Sequence, residues 1–382
     1  MLGGEWRDGC YVVDREWRPA ATHGRERIGD LAARLESATD DAVLFSGVDA
    51  ARAPLVFFDL ETTGLSGGAG THVFLVGRGW FDGSRFLTQQ FVMTRFADER
   101  PMLETVARAF ARAGALVSFN GKSFDAPVLE TRYLFHRLEW FGDGTPHIDV
   151  LHPARQFWKG DDCSLIALEK QLVGHRRVGD VPGIEIPQRY FRFVRSGDAG
   201  PLAAVLEHNR LDLLSLAALT ARLLHLTRMG PEAARNAREA IALGRVYARA
   251  GFDARACDAY MRAIALTRAP ARAFDSARID ALRALALACR RLRRFDEAAR
   301  RWQELIDIRG CPQTIAAEAA EALAVHHEHR VKDLDSARRF AARLVPVTVR
   351  QTHAVEWRLS RLDRKLAARS AAGLFETMEG SG

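Results

Sequence analysis

The sequence lacks several features that mark particular classes of protein. Its five cysteines lie far apart and form no CxxC pair, which argues against a disulfide framework and against a cysteine-based zinc site. No stretch approaches the ~18 apolar residues that a membrane helix needs, so we expect no membrane segment. The opening stretch, MLGGEWRDGCYVVDREW, is charged throughout and does not resemble a signal peptide. These absences predict a cytoplasmic protein.

Lysine is also scarce, and the basic charge is spread unevenly. Residues 231–382 contain 28 Lys and Arg against 19 Asp and Glu, a net charge of +9, whereas residues 1–230 contain 27 against 29, a net charge of −2. A basic half suits a polyanionic partner, most often nucleic acid. The excess of arginine over lysine, 50 to 5, is also typical of a GC-rich genome, so composition alone leaves both interpretations open.

The length of 382 residues predicts two domains. Unbroken apolar runs predict buried strands at 55–61 and 115–120, and two more strands flank the turn at Asp82-Gly83. Helices are expected at about 28–35, 99–113, 123–138 and 202–226. This order predicts an α/β protein with a mixed β-sheet flanked by helices. We predict an N-terminal extension over 1–50, the α/β domain over 51–228, and an all-α domain over 231–382.

The all-α part carries a repeated pattern. Small and bulky residues recur at the spacing of a tetratricopeptide repeat, namely Leu243, Gly244, Tyr247, Ala256, Tyr260 and Ala263. Equivalent alanines recur at Ala298 and Ala337. Ala298 lies 42 residues after Ala256, and Ala337 lies 39 residues after Ala298. The standard unit is ~34 residues. The pattern therefore predicts stretched, tetratricopeptide-like helical repeats.

The stretch FFDLETTGLSGGAG, residues 57–70, permits two interpretations. Its glycines could cradle a phosphate, but such a loop ends in Lys followed by Ser or Thr, and here Thr71-His72 follows. A strand rather than a helix comes next, so the glycines are expected to form a tight connection. The carboxylates Asp59 and Glu61 point to the same side of a strand and suit a hard cation such as Mg²⁺ or Mn²⁺.

A metal site needs partners elsewhere in the chain. Asp125 lies in the first turn of a predicted helix, where an acid is favourable anyway, but Ser123 is the better N-cap and leaves Asp125 free. Asp212 lies within a leucine-lined helix, with His208 one turn earlier on the same face. Taken alone, a His-Asp pair at that spacing is more often a surface hydrogen bond than a catalytic arrangement.

Taken together, DLETTGL, FNGKSFD and HNRLDLLSL resemble the three motifs of the DEDD exonuclease superfamily in order and spacing. HIDVLHPARQFW, VPGIEIPQRYF and the helical repeats extend the likeness over roughly residues 50–345. The combination is similar to the YprB-like family of bacterial proteins. These join a ribonuclease-H-like exonuclease domain to tetratricopeptide-like helices. One departure is that His208 stands four residues before Asp212, the spacing at which one DEDD subclass has tyrosine.

The resemblance implies a set of site residues. Asp59, Glu61, Asp125 and Asp212 would hold two Mg²⁺ or Mn²⁺ ions, and His208 would take the proton from the attacking water. Five residues would bind the terminal nucleotide: Thr62, Gly64, Leu65, Asn120 and Phe124. Ordinary turn and core roles account for these five equally well.

Two functions of different classes follow. The first is a 3′→5′ exonuclease on single-stranded DNA rather than RNA, acting in DNA repair, with a helicase as a partner that the resemblance suggests. The second is a catalytically inactive scaffold whose repeats bind a partner protein. The retention of all four acids and the histidine favours the first, because a vestigial site has no reason to keep mutually repelling carboxylates.

Overall fold

The computed structural model describes residues 2–49, 51–64, 70–158, 160, 162–268, 270–344 and 349–379. The chain forms two compact units, Met1–Met229 and Gly230–Gly382. No helix in the described ranges is both long enough and apolar enough to span a bilayer.

The first unit combines strands and helices. Its strands are β1 (Glu5–Arg7), β2 (Cys10–Trp17), β3 (Thr22–His23), β4 (Glu26–Arg27), β5 (Leu55–Thr62), β6 (Val73–Asp82), β7 (Arg85–Val92), β8 (Ala115–Ser118) and β9 (His147–Asp149). Its α-helices are α1 (Ile28–Ala38), α2 (Ala42–Ser46), α3 (Glu99–Phe110), α4 (Asp125–Phe135), α5 (Leu151–Trp158), α6 (Leu165–Leu168), α7 (Ile186–Ser196) and α8 (Gly200–Met229). A π-helical turn, Glu169–Val173, follows α6.

Seven of these strands form one mixed sheet in the order β1-β2-β7-β6-β5-β8-β9. The pairs from β1 to β5 are antiparallel, whereas β5, β8 and β9 run parallel. The predicted mixed sheet flanked by helices is therefore confirmed. Strands β1 and β2, which add to one edge, were not predicted from the polar, arginine-rich residues that contain them.

Strand β5 lies inside the sheet and is buried on both faces, as its unbroken apolar run predicts. Phe58 and Leu60 belong to a hydrophobic core shared with α3, α4 and α7. Asp59, between them in sequence, faces the other way and contacts α8. Alternation along one strand thus separates the apolar core from the polar side chains that make the site.

The second unit is helical, as predicted. Its α-helices are α9 (Ala237–Arg249), α10 (Asp253–Leu266), α11 (Ser276–Arg291), α12 (Phe295–Ile306), α13 (Gln313–His326), α14 (Leu334–Ala341) and α15 (Val349–Glu379). Each packs against the next in the chain. Gly244 of α9 lies so close to α10 that a Cβ there would overlap the Tyr260 ring. The tetratricopeptide character of these helices stays a prediction.

Candidate active site

The two carboxylates of strand β5 lie on its α8 side. Asn209 of α8 donates a hydrogen bond from Nδ2 to Asp59 Oδ2, at 2.9 Å. Burial raises the pKa of Asp59 well above its usual range. Three nearby carboxylates raise this pKa further, namely those of Asp212, Glu61 and Asp125. The four acids predicted from the sequence therefore lie close enough to repel one another.

Glu61 is buried in the same cluster. Burial raises its pKa well above the usual range, and the charges of Asp212 and Asp125 add to the shift, followed by that of Asp180. The pairing of β5 with β6 is irregular between Glu61 and Thr62. Such irregularities end regular pairing and re-aim side chains, and they are common beside active sites.

Asp125 is the first residue of α4 and is also buried. Burial raises its pKa to about 7, and the charge of Asp149 contributes. Asp149 also holds the turn that leads to Asp125, since its carboxylate accepts hydrogen bonds from the backbone N–H groups of Asn120 (2.9 Å) and Lys122 (3.1 Å). Asn120 adopts φ +68°, a left-handed conformation that asparagine tolerates.

The expected cap of α4 was wrong. Ser123 does not cap this helix: Phe124 occupies the N-cap position, and no side chain there hydrogen-bonds the first turn. Helix α4 is instead tied to α3 by a buried ion pair. Arg132 donates from Nε to Glu99 Oε1 (2.7 Å) and from Nη2 to Oε2 (2.6 Å), with both side chains at most 2% exposed.

Helix α8 presents the histidine and the last acid together. His208 Nε2 lies 3.4 Å from Asp212 Oδ2, and His208 Nδ1 lies 2.7 Å from Asp180 Oδ1. Burial raises the pKa of Asp212, although Arg177 and His208 oppose the shift. The His208–Asp212 pair is thus part of a buried chain of polar groups and is not a surface hydrogen bond.

Sequence reasoning missed the residue at the centre of this chain, Arg177. Its guanidinium, 3% exposed, bonds Glu169 Oε2 (2.7 Å), Asp180 Oδ2 (3.3 Å) and Asp212 Oδ1 (2.6 Å). Although burial opposes it, these carboxylates raise the pKa of Arg177, so the side chain stays charged. Arg177 and Asp180 lie in an irregular connection before α7, where no periodicity or motif distinguishes them from solvent-exposed residues.

The predicted nucleotide-binding residues flank the acids. Thr62 is buried, and its hydroxyl donates to the carbonyl oxygen of Gly64 at 2.7 Å. Phe124 packs at the margin of the core, one residue before Asp125, and Asn120 forms the preceding turn. Leu65 lies outside the described residues. The three described side chains therefore have structural roles next to the acids, and their contact with a nucleotide stays a prediction.

The acids fit a hard divalent cation. Carboxylate oxygens are the ligands that Mg²⁺ and Mn²⁺ prefer. In the described part of the chain no basic side chain forms an ion pair with Asp59, Glu61 or Asp125, so their charges are uncompensated. Within the same ranges, no three of the four acids bring ligand oxygens within 4.8 Å of one another, as expected of carboxylates that repel.

The fold and the acidic cluster agree with the similarity of this sequence to known proteins. Residues 56–224 match the RNase_H superfamily. Over 325 residues the chain is 31% identical to the "Uncharacterized protein YprB" of Bacillus subtilis (strain 168), and the match covers 82% of this chain and 75% of that one. The chain belongs to the YprB family, within the RNase_H superfamily. Its membership indicates a nuclease-type hydrolase that binds nucleic acid, and such nucleases generally use divalent metal ions.

The approach of Asn209 to Asp59 depends on a glycine in the neighbouring strand. Gly77 of β6 pairs with Asp59, and a Cβ at position 77 would overlap Asn209 Oδ1. Gln90 of β7 donates to the same Oδ1 at 2.9 Å, which turns the Asn209 amide so that Nδ2 faces Asp59. A side chain at position 77 would disturb both hydrogen bonds.

Gly77→Ala should therefore destabilise the protein by about 1–3 kcal/mol, the usual cost of overpacking. It should also weaken Mn²⁺ binding, because Asp59 loses the donor that orients it. Denaturant unfolding and a Mn²⁺ titration of the variant measure both effects. Gly183→Ala is the matched control, since a Cβ there meets nothing within 4 Å. Equal stability of the two variants would contradict this account.

The raised pKa of Asp125, about 7, makes cation binding pH-dependent. Because folding raises this pKa, the folded protein keeps the proton up to a higher pH than the unfolded chain does. Asp125 therefore costs the cation-free fold no stability at low pH, and that cost grows as the pH rises towards 7. A cation needs the ionised carboxylate. From Asp125 alone, the apparent Mn²⁺ affinity should rise about tenfold from pH 6 to pH 8.

Calorimetric Mn²⁺ titrations at pH 6, 7 and 8 measure this dependence. Asp125→Asn should weaken binding and flatten the pH dependence, whereas the exposed Asp143→Asn should leave both unchanged. An affinity for Mn²⁺ that is the same at pH 6 and pH 8 in the wild type would rule out proton competition at these acids.

Proposed function

We propose that the protein is a DEDD-type exonuclease that hydrolyses phosphodiester bonds of single-stranded DNA in the 3′→5′ direction. The observation that supports this best is the convergence of Asp59, Glu61, Asp125 and Asp212 in one buried cluster. Superfamily membership supports nuclease chemistry. The exonuclease type, the polarity and the choice of DNA rest on the resemblance of three sequence segments to the DEDD motifs.

Two Mg²⁺ or Mn²⁺ ions held by these four acids would stabilise the negative charge that builds up on the phosphate and the leaving oxygen. The chain's own groups then have defined tasks. The turn after β8 leads to Asp125, and the irregular pairing after Glu61 leads to Thr62, so both segments adjoin the acids. Thr62, Gly64, Leu65, Asn120 and Phe124 would hold the terminal nucleotide there.

His208 is the proposed general base. Its Nδ1 lies 2.7 Å from Asp180 Oδ1, so an Nδ1–H donated to that carboxylate leaves Nε2, on the Asp212 side, free to accept a proton from water. Burial raises the pKa of Asp180, but the hydrogen bond and charge of His208 and the charge of Arg177 outweigh it and lower that pKa overall. Asp180 therefore stays ionised and fixes the imidazole tautomer.

The helical unit is proposed to hold partners. Its net charge of +9 suits a phosphate backbone, as does a concavity in which four arginines outnumber two acids. These charged residues are Arg293, Arg294, Arg300, Arg330, Asp296 and Glu297. Arg330 lies over the Phe295 ring at 3.9 Å, a pairing that also suits nucleic acid bases. The family resemblance adds a helicase as a protein partner and a role in DNA repair.

Asp59→Ala or Asp212→Ala should abolish degradation of end-labelled single-stranded DNA in Mg²⁺ or Mn²⁺. Each change removes a proposed ligand, so stabilisation by Mn²⁺ should shrink. In chelator, Asp59→Ala relieves repulsion and should leave thermal stability level or raise it, whereas Asp212→Ala also removes an ion-pair partner of the buried Arg177 and should lower it. Double-stranded DNA and both forms of RNA are assayed in parallel, with Asp143→Ala as control. A wild type that degrades none of the four substrates would favour the inactive scaffold.

His208→Ala should lower the single-turnover rate by about 10²- to 10⁴-fold, as loss of a general base does. Asp180→Asn should lower it too, because an amide can hold the other tautomer. Both variants should retain Mn²⁺ binding. If His208→Ala keeps the same pH–rate profile as the wild type, His208 is not the base.

A further inference from the structure

A second cluster of metal-type ligands lies in the first unit. The ligand atoms of His23, Glu169 and His175 all lie within 4.8 Å of one another, and within the described ranges no other group of three does so. His23 Nε2 is 3.0 Å from Glu169 Oε1. Ser215 Oγ, from α8, completes the group at 2.9 Å from His23 Nε2 and 2.8 Å from Glu169 Oε1.

The fold holds these residues from three separate elements. His23 ends the short strand β3, and the next residues lock that hairpin onto the turn carrying Glu169 and His175. Arg25 N–H donates to the Val173 carbonyl at 2.9 Å, and a Cβ on Gly24 would overlap that same oxygen. The close approach therefore requires glycine, which also adopts φ +56° here.

The distances come close to those of tetrahedral coordination. Ligands ~2.1 Å from a zinc ion lie about 3.4 Å apart. His23 Nε2, Glu169 Oε1 and Ser215 Oγ, hydrogen-bonded at 2.8–3.0 Å, would therefore separate by about half an ångström to admit the ion. The His175 ring lies against the His23 ring, with centroids 4.4 Å apart. A small rotation of the half-buried His175 brings its nitrogen into the same sphere.

Hydrogen bonds alone leave this cluster incomplete. Within the described residues, no group hydrogen-bonds the ring of His175, although it lies beside a buried carboxylate. Glu169 Oε2 is bonded by Arg177 Nε at 2.7 Å, which leaves Oε1 directed at the histidines. Metal-ligating carboxylates are commonly held by an outer hydrogen-bond donor in this way.

We propose that His23, Glu169 and His175, with Ser215 or a water in the fourth position, form a zinc site distinct from the acidic cluster. Two imidazoles and one carboxylate are ligands that zinc prefers, whereas the all-oxygen acids select Mg²⁺ or Mn²⁺. The site tethers the β3–β4 hairpin to α8. It also holds Glu169, and through it Arg177, which contacts Asp212.

The test uses Co²⁺ and Zn²⁺ as probes on the full-length chain after treatment with a chelator. All variants carry Asp59→Asn, so that the acidic cluster contributes less to the measured binding of Co²⁺ and Zn²⁺. Tetrahedral Co²⁺ bound by two histidines absorbs strongly in the visible range, whereas Co²⁺ among oxygens absorbs weakly, so the spectrum separates the two sites. Zinc content after gel filtration is measured in parallel.

The proteins to compare are the Asp59→Asn parent, His175→Ala, Glu169→Gln and the control His152→Ala, whose exposed ring lies outside the cluster. The parent and the control should retain about one zinc per chain and give the tetrahedral spectrum. His175→Ala should weaken binding by more than the ~10–100-fold that loss of an outer-shell partner costs.

Two results would overturn the site. One is a parent protein with no tetrahedral Co²⁺ absorption, and the other is equal zinc affinity in the parent and His175→Ala. Glu169 is fully buried, so its variant can fail to fold, but His175 is half-buried and keeps the test decisive. Because neither readout uses nuclease activity, the outcome is independent of the proposed exonuclease function.

Discussion

Repulsion between buried carboxylates is the constraint on which the first unit depends. Strand β5 brings Asp59 and Glu61 to one face of the sheet, and α4 and α8 add Asp125 and Asp212 to the same cluster. Removal of such groups from water and their mutual repulsion both oppose ionisation. This arrangement lowers the stability of the cation-free fold, and the proposed divalent cations would offset that cost by compensating the charges of the acids.

The fold accommodates this cluster by fixing neutral donors around it. Gly77, without a side chain, lets Asn209 reach Asp59, and Gln90 sets the direction of the Asn209 amide. Asp149 performs the corresponding task on the other side, where its carboxylate holds the turn before Asp125. Asp59 is therefore oriented by a hydrogen bond from a neutral amide, which leaves its charge available to a ligand.

The sequence was sufficient to predict the mixed sheet and the helical unit, because each depends on local information, namely apolar runs and helical spacing. Its short motifs also named four acids that the fold brings close to one another, and their role as metal ligands stays a proposal. Strands β1 and β2 were missed because most of their residues are exposed or half-buried, so the polar, arginine-rich segment was predicted as an N-terminal extension. Ser123 was misassigned because capping preference is only a local tendency, and in the structure Phe124 occupies the N-cap position of α4. Gly77, Gln90, Arg177 and Asp180 act only through residues distant in the chain, so no local pattern marks them.

Arg177 joins two sites of different chemistry. Its guanidinium contacts Glu169 of the proposed zinc site, Asp212 of the acidic cluster, and Asp180, which orients His208. A rigid, planar cation cannot shift towards one carboxylate without weakening its bonds to the others. The position of Glu169 therefore affects the carboxylate of Asp212 and the tautomer of His208 together. In this arrangement a structural metal, placed outside the reaction centre, would fix the geometry on which the general base depends.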